Sequence, residues 1–447
     1  MVIAQLTSNN FRDGNKFEAN RGRCFGMIRG YLTFGLAVAA ANSATAETLR
    51  YMSFDPVQLE AERPAIAAFE ASHPGLKVQA QALPQKDYWT NVSAQAASGT
   101  LPDVMMMSSA YIYQWAASGN LADLNSFAGE LNLEGYTESA VDVARVKGGL
   151  YAIPQSWSGA VLYYNKDAFD AAGISYPTAT WTWDQFRDAA KKLTVDKNGD
   201  GEPEQWGYYI TGRYAQVDGW VYRNGGRYLT PDSTAMDPDP AALKTLKFLT
   251  DLVVKDKVAP KPKDLEGVRF LDVFPLGMAA MWVDGAWNIS SNRTTIGSKF
   301  KWGIAEIPRG PDATDATVRN YAWPDLLSVA ETSTKKYLAV EFIEHMTQAS
   351  RSAKDFKGGK VPAFKEVASK PEWLERDQQP DNKEVILQLG EGKLYNGFAK
   401  NWDGWRGYGA SGSGGVNGEL DEVFNGRKSL DDAVKSFVSY SNDVLKR

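Results

Sequence analysis

Leu49-Arg50-Tyr51-Met52-Ser53-Phe54, Ala65-Ile66-Ala67-Ala68-Phe69-Glu70-Ala71 and Leu76-Lys77-Val78-Gln79-Ala80 together decide the fold class. The first segment alternates loosely, as a strand does, and Asp55-Pro56 breaks it. A helix follows at once, because 65–71 carries its apolar residues at helical spacing, and His73-Pro74-Gly75 ends it. Residues 76–80 return to strand alternation. Strand, helix and strand of these lengths form a β-α-β unit, and such units build parallel sheets with right-handed crossovers.

Toward the C-terminus the pattern repeats. A helix is expected around Tyr88 to Ser98, followed by Gly99-Thr100-Leu101-Pro102-Asp103 and the apolar run Val104-Met105-Met106-Met107. A continuous apolar run of this length is what a strand covered on both faces requires. Its carboxyl end, Ser108-Ser109-Ala110-Tyr111, therefore points to where open α/β sheets bind ligands. Helical and extended segments alternate onward through Leu326-Leu327-Ser328-Val329 and a helix from Lys336 to Thr347, while Tyr408 to Gly418 reads as a glycine-rich loop. With 447 residues the chain exceeds one ordinary core, and two α/β lobes are expected. The 43 % apolar and 23 % charged content is that of an ordered globule.

Toward the N-terminus, Arg29 precedes an apolar run from Tyr31 to Ala41 that ends in Ala44-Thr45-Ala46, a small-x-small cleavage pattern. Residues 1–46 thus read as a leader and secretory signal peptide cleaved after Ala46, with Met27 as the translation start. The alternative is a membrane anchor, but the run is shorter than the ~20 residues needed to cross a bilayer. The single cysteine, Cys24, lies before the apolar run, so it is misplaced for a lipid acceptor, and its removal leaves no thiol. A freely diffusing periplasmic monomer is expected, without membrane insertion.

Loss of the leader leaves 44 basic and 52 acidic residues, a net charge of −8. An acidic surface argues against nucleic acid or anionic membrane as partner. All 14 tryptophans lie beyond residue 46, and an indole can lie flat on the C–H face of a sugar ring.

Several phrases, in order along the chain, carry a resemblance. They are Gly99-x-Leu101-Pro102-Asp103-Val104, Gly149-Leu150-Tyr151-Ala152-Ile153-Pro154, and Leu162-Tyr163-Tyr164-Asn165-Lys166-Asp167-x-Phe169 with Gly173, Pro177 and Thr182-Trp183-Asp184-Gln185-Phe186. Phe274-x-x-Gly277-Met278-Ala279-Ala280-Met281 with Gly285-Ala286-Trp287, and Gly359-x-x-Pro362, complete the set. Together they resemble the extracellular solute-binding proteins of ABC importers, specifically the carbohydrate-binding group that includes maltose-binding protein. The resemblance implies a two-lobed, type II-like periplasmic-binding-protein fold with discontinuous lobes, a hinge, and a ligand cleft between the lobes. It places one lobe at 47–156 plus 307–358 and the other at 160–304 plus 362–447, with the hinge near 154–159, 304–308 and 358–361. The implied function is capture of a sugar or small glycoside and delivery to the importer's permease subunits, with no cofactor and no enzymatic step.

A sugar needs aromatic plates and a ring of groups that exchange hydrogen bonds with its hydroxyls. Similarity to relatives puts Trp287 at the cleft, the alternative being a core tryptophan at a helix start. Asp284 is a candidate hydroxyl acceptor or else a helix cap. Trp157 and Ser158 stand on the first crossing between lobes. Tyr214, Asp218 and Trp220 precede Asn224-Gly225-Gly226, a region that supplies an aromatic in relatives. Trp323 and Asp325 stand at the return to the first lobe. Trp402, Trp405 and Arg406 gather plates and a charged fork, although Arg406 could equally pair with Asp403 or Asp421. Asp55, Ser109 and Tyr111 follow strand ends of the first lobe.

Asp196-Lys197-Asn198-Gly199-Asp200-Gly201-Glu202 has the first half of a calcium loop, but the twelfth position is Gly207 rather than a bidentate glutamate. It reads as a polar turn, and no metal is assigned. Three rival functions stand beside transport of a sugar: a polyol or other polar solute as cargo, service to a chemoreceptor, and a secreted glycoside hydrolase. Hydrolysis would need two carboxylates held across one bond.

Overall fold

The computed structural model describes residues 47–127, 131–348, 351–356, 358–391, 394–395, 398–407 and 414–447. The expected leader, 1–46, and positions 408–413 of the glycine-rich loop lie outside the described residues. The opening stretch folds as β1 (Glu47–Ser53), α1 (Pro56–Ser72) and β2 (Leu76–Ala82). The start of α1 is fixed chemically: Asp55 accepts the Gln58 backbone N–H at 3.0 Å, and Pro56 occupies the first helical turn, where its missing donor costs nothing. Next come α2 (Gln85–Ser98), ended by Gly99 at φ 67°, and β3 (Val104–Ser108), whose Val104 to Met107 are fully buried. The chain continues with α3 (Ile112–Ala117), α4 (Glu138–Val143), the short pair β4 (Arg145–Val146) and β5 (Gly149–Leu150), and the long β6 (Ile153–Asn165).

Beyond β6 lie α5 (Lys166–Ala172), α6 (Trp183–Leu193), α7 (Tyr214–Arg223), α8 (Pro240–Val254), β7 (Met281–Gly285), α9 (Ile289–Ile296), β8 (Trp302–Ala305), β9 (Ala322–Val329), α10 (Lys336–Thr347) and β10 (Val361–Pro362). Helix α6 opens with a reciprocal capping box between Thr182 and Gln185. Among the later helices are Trp402–Arg406 and Leu430–Lys446. Among the described residues no helix is long and apolar enough to cross a membrane.

The main sheet runs β10-β6-β9-β3-β1-β2, with β7 and β8 also on β6. β1 pairs in parallel with β2 and β3, as the β-α-β reading requires. The parallel pairing expected from the β-α-β unit does not extend to β9, which inserts antiparallel between β3 and β6, pairing Val104 with Val329 and Gly159 with Ala322. No local pattern distinguishes a parallel from an antiparallel neighbour for a buried strand, since both read as an apolar run.

Strand β6 serves two sets of partners. Up to Gly159 it pairs with β9, and Ser156 and Trp157 also meet β10; from Ala160 onward it pairs with β7 and β8. Its side chains alternate between faces. Ser158 faces one cavity, whereas Trp157 lines a different one on the opposite side with Val361 and Gly390. Two successive residues of a strand cannot serve the same cavity, and Trp157 is therefore separated from the group it was expected to join.

Trp220 is likewise away from the cavity that Ser158 faces. Its indole is fully buried, 4.8 Å from the Phe186 ring, and its Nε1 donates to Tyr208 Oη at 3.1 Å. The 196–202 segment closes on itself, with Asp196 accepting the N–H groups of Gly199 and Gly201 at 2.6 and 2.8 Å.

Candidate functional site

A cavity of about 480 Å³ lies beside the ends of β1, β3 and β7 and the start of α7. Asp55, Ser158, Tyr214, Trp287, Trp323 and Asp325 line it, together with Phe54, Gln85, Ser108, Arg213, Phe270, Leu271 and Lys360. Each comes from a local feature: Asp55 is the cap of α1, Tyr214 opens α7, Trp287 follows the end of β7, and Trp323 and Asp325 sit two apart on one face of β9.

One side of the cavity is a charge cluster. Lys360 Nζ lies 2.6 Å from Asp55 Oδ2 and 3.0 Å from Asp325 Oδ2, and the three side chains are 14 to 25 % exposed. Ser156 Oγ also donates to Asp325 Oδ2, at 3.4 Å. Burial alone would raise the Asp55 carboxyl, but the Lys360 ammonium and the Gln58 N–H outweigh it and hold the group below the usual carboxylate range. Burial raises Asp325, and Lys360 offsets this only in part. For Lys360, the cost of burial is exceeded by its two carboxylates, which raise it above the ordinary lysine value.

The other side is aromatic. Tyr214 lies 4.8 Å from Trp323 between ring centres, and Trp287 stands nearly perpendicular to Trp323 at 6.4 Å. The Trp323 ring is held from behind by Phe398 and Trp402, each at 4.9 Å, and by a hydrogen bond from its Nε1 to Ser108 Oγ at 3.0 Å. Trp287 is half-buried and presents surface to the cavity. Its indole covers Gly285 so closely that a Cβ built there would lie only 2.1 Å from the nearest ring carbon. Gly285→Ala is therefore expected to swing Trp287 aside and weaken ligand binding by roughly tenfold, an effect of about 1.4 kcal/mol. Titration calorimetry would read the loss, and an unaltered affinity would show that the indole position is immaterial.

Arg213 closes the aromatic side. Its guanidinium lies 4.6 Å from the Tyr214 ring and 5.0 Å from the Phe270 ring, and its Nε donates to Asp284 Oδ2 at 3.1 Å. Asp284 itself is fully buried and does not line the cavity. It accepts from Arg213, Gln216, Asn288 and the Gly285 N–H, so it anchors Arg213.

The remaining candidates lie elsewhere. Asp218 and Arg406 are both fully buried and pair with each other at 2.7 Å, not with Asp403 or Asp421 as the sequence alternatives had it. Trp402 and Trp405 are fully buried, and Trp402 packs behind Trp323 and 5.3 Å from Tyr214. Ser109 is buried one residue past the cavity-lining Ser108, and Tyr111 packs against Trp89 at 4.3 Å.

Sequence reasoning passed over Lys360, Arg213, Phe54, Gln85, Phe270 and Leu271, and at the end of β3 it singled out Ser109 where Ser108 lines the cavity. Lys360 lies inside the expected third crossing, 358–361, and Arg213 directly precedes Tyr214, so position along the chain was the available signal for both. Phe270 and Leu271 follow no recognised phrase.

The family model of bacterial extracellular solute-binding proteins matches residues 55–350. Among curated proteins, the lactose-binding protein of Rhizobium radiobacter is 23 % identical over 322 residues, covering 69 % of this chain and 72 % of that protein. Among solved structures, the substrate-binding protein from Listeria monocytogenes in complex with cycloalternan is 27 % identical, with a TM-score of 0.73 over 90 % of this chain and 99 % of that one. The sugar-binding protein of Xanthomonas citri has a TM-score of 0.75 at 19 % identity, covering 89 % and 97 %.

Proposed function

Because the chain belongs to the bacterial extracellular solute-binding protein family, whose two-lobed α/β fold it shares, we propose that it captures a sugar or small glycoside and hands it to the permease of an ABC importer. One observation carries the choice of cargo: three aromatic rings, Tyr214, Trp287 and Trp323, share a cavity with the Asp55–Lys360–Asp325 cluster. Rings suit the apolar faces of a pyranose, and charged groups strengthen hydrogen bonds to its hydroxyls. The lactose-binding relative and the cycloalternan complex support the same class of ligand.

Capture works by closure. Under the lobe boundaries 47–156 plus 307–358 and 160–304 plus 362–447, Asp55, Trp323 and Asp325 belong to one lobe and Arg213, Tyr214 and Trp287 to the other. A solute touching both sets lowers the free energy of the closed state relative to the open one, and the permease reads the closed surface. The change of partners along β6 after Gly159 supports a hinge there. The family is an exported one, and cleavage after Ala46 with release into the periplasm completes the proposal. No catalytic step is part of it.

A thermal-shift screen with lactose, N,N′-diacetylchitobiose, tagatose and mannitol tests the cargo. A solute present at about a hundredfold excess over its Kd adds about 2.7 kcal/mol to stability, enough to raise the melting temperature by several degrees. A screen in which no sugar, polyol or glycoside moves the transition would overturn the carbohydrate class.

A further inference from the structure

The lining itself brings two carboxylates and two cations, but the buried Asp284 behind Arg213 adds a third carboxylate, so the formal charges at and directly behind the cavity wall do not cancel. Asp55 and Asp325 bring two carboxylates to the single ammonium of Lys360, at 2.6 and 3.0 Å. The other cation of the lining, Arg213, is already matched by the fully buried Asp284 at 3.1 Å. Two cations are thus set against three carboxylates, and one negative charge is left over on the Asp55–Lys360–Asp325 side.

The approach to the cavity does not reverse this sign. A neighbouring crevice of about 410 Å³ shares Asp55, Trp287 and Lys360 with the cavity and runs between α1 and α9. Its one further charged lining residue is Asp355, whose carboxylate meets Arg351 Nε at 3.1 Å. Among the described residues, no additional cation lines either space.

Resting on the carbohydrate reading above, we infer that this cavity takes neutral or amine-bearing sugars and rejects acidic ones, with Asp325 as the specificity-determining residue. A cation whose charge is not already met would favour an acidic sugar, but both cations here are held by carboxylates within about 3 Å. In a partly buried site its carboxylate would also stand against the surplus negative charge, and like charges brought together across an interface weaken binding strongly. Neutral hydroxyls face no such penalty, because carboxylates accept their hydrogen bonds. A protonated amine gains from the surplus charge.

The test is isothermal titration of glucose, galactose and mannose, each beside its uronate and its 2-amino counterpart, and of lactose beside lactobionate. At about pH 6.5 the acids are ionised and the amines protonated. The expected result is that every uronate or aldonate binds at least roughly tenfold more weakly than its neutral parent, while the amine matches or exceeds it. An acid that binds within threefold of its parent, or more tightly, overturns the inference and leaves the carbohydrate reading intact. If no member of these series binds, the same comparison is made with the sugar that the thermal screen identifies and its uronate or aldonate; only if that screen also finds no sugar, polyol or glycoside does the carbohydrate reading fall, and the inference with it. In Asp325→Asn, shown to be folded by circular dichroism, the gap between parent and acid should narrow by roughly tenfold. An unchanged gap in folded protein would remove Asp325 from its assigned part, and the unaltered protein decides the charge preference whether or not that variant folds.

Discussion

Arg406→Met is expected to lower the unfolding free energy by about 3–5 kcal/mol, read by denaturant titration, because it strands a carboxylate in the core. Arg406 and Asp218 are both fully buried. The guanidinium Nε lies 3.0 Å from each Asp218 oxygen, Nη2 lies 2.7 Å from Oδ1, and Nη1 donates to Gly212 O at 3.3 Å and to Asn417 Oδ1. Burial pushes the Asp218 carboxyl up, and the Arg406 charge is the main force opposing that rise. Without Arg406 the carboxylate has to take up a proton or stay ionised without its partner. A loss below about 1 kcal/mol would mean that water reaches the pair. A variant that keeps its stability but no longer binds sugar would return Arg406 to the ligand site.

Trp287→Ala should act in the opposite way, weakening ligand binding by about thirtyfold, or about 2 kcal/mol, with little change in stability. The side chain is half-buried, borders both the cavity and the adjoining crevice, and packs perpendicular to Trp323. Its removal takes away a plate without opening the core. Calorimetric titration with whichever sugar the thermal screen identifies measures the effect, and an unchanged Kd would exclude Trp287 from the site. The two variants together separate groups that hold the fold from groups that face the solute, a distinction that residue type does not provide.

Much of the fold was legible because it is local. The alternation in 49–54 and 76–80 and the helical spacing in 65–71 announce β1, α1 and β2, and Lys336 to Thr347 is helical over the expected range. The cavity was legible where a strand end or a resemblance placed a residue, as with Asp55, Trp287, Trp323 and Asp325. Orientation was harder to read. Trp157 and Ser158 are neighbours in sequence and stand on opposite faces of β6, while Trp220 and Trp402 carry the same indole as Trp287 yet serve the core.

The sequence by itself determined the order of elements, the class of fold and the stretches that approach the cavity, because side-chain periodicity and turn residues act over a few positions. Only the tertiary structure decided which charges meet. Lys360 lies 305 residues from Asp55, and Arg406 lies 188 from Asp218. Coulombic attraction and the cost of burying an unpaired charge depend on separation in space, which no local pattern encodes. The same type of pair thus became a core brace at Arg406 and a charged cavity wall at Lys360.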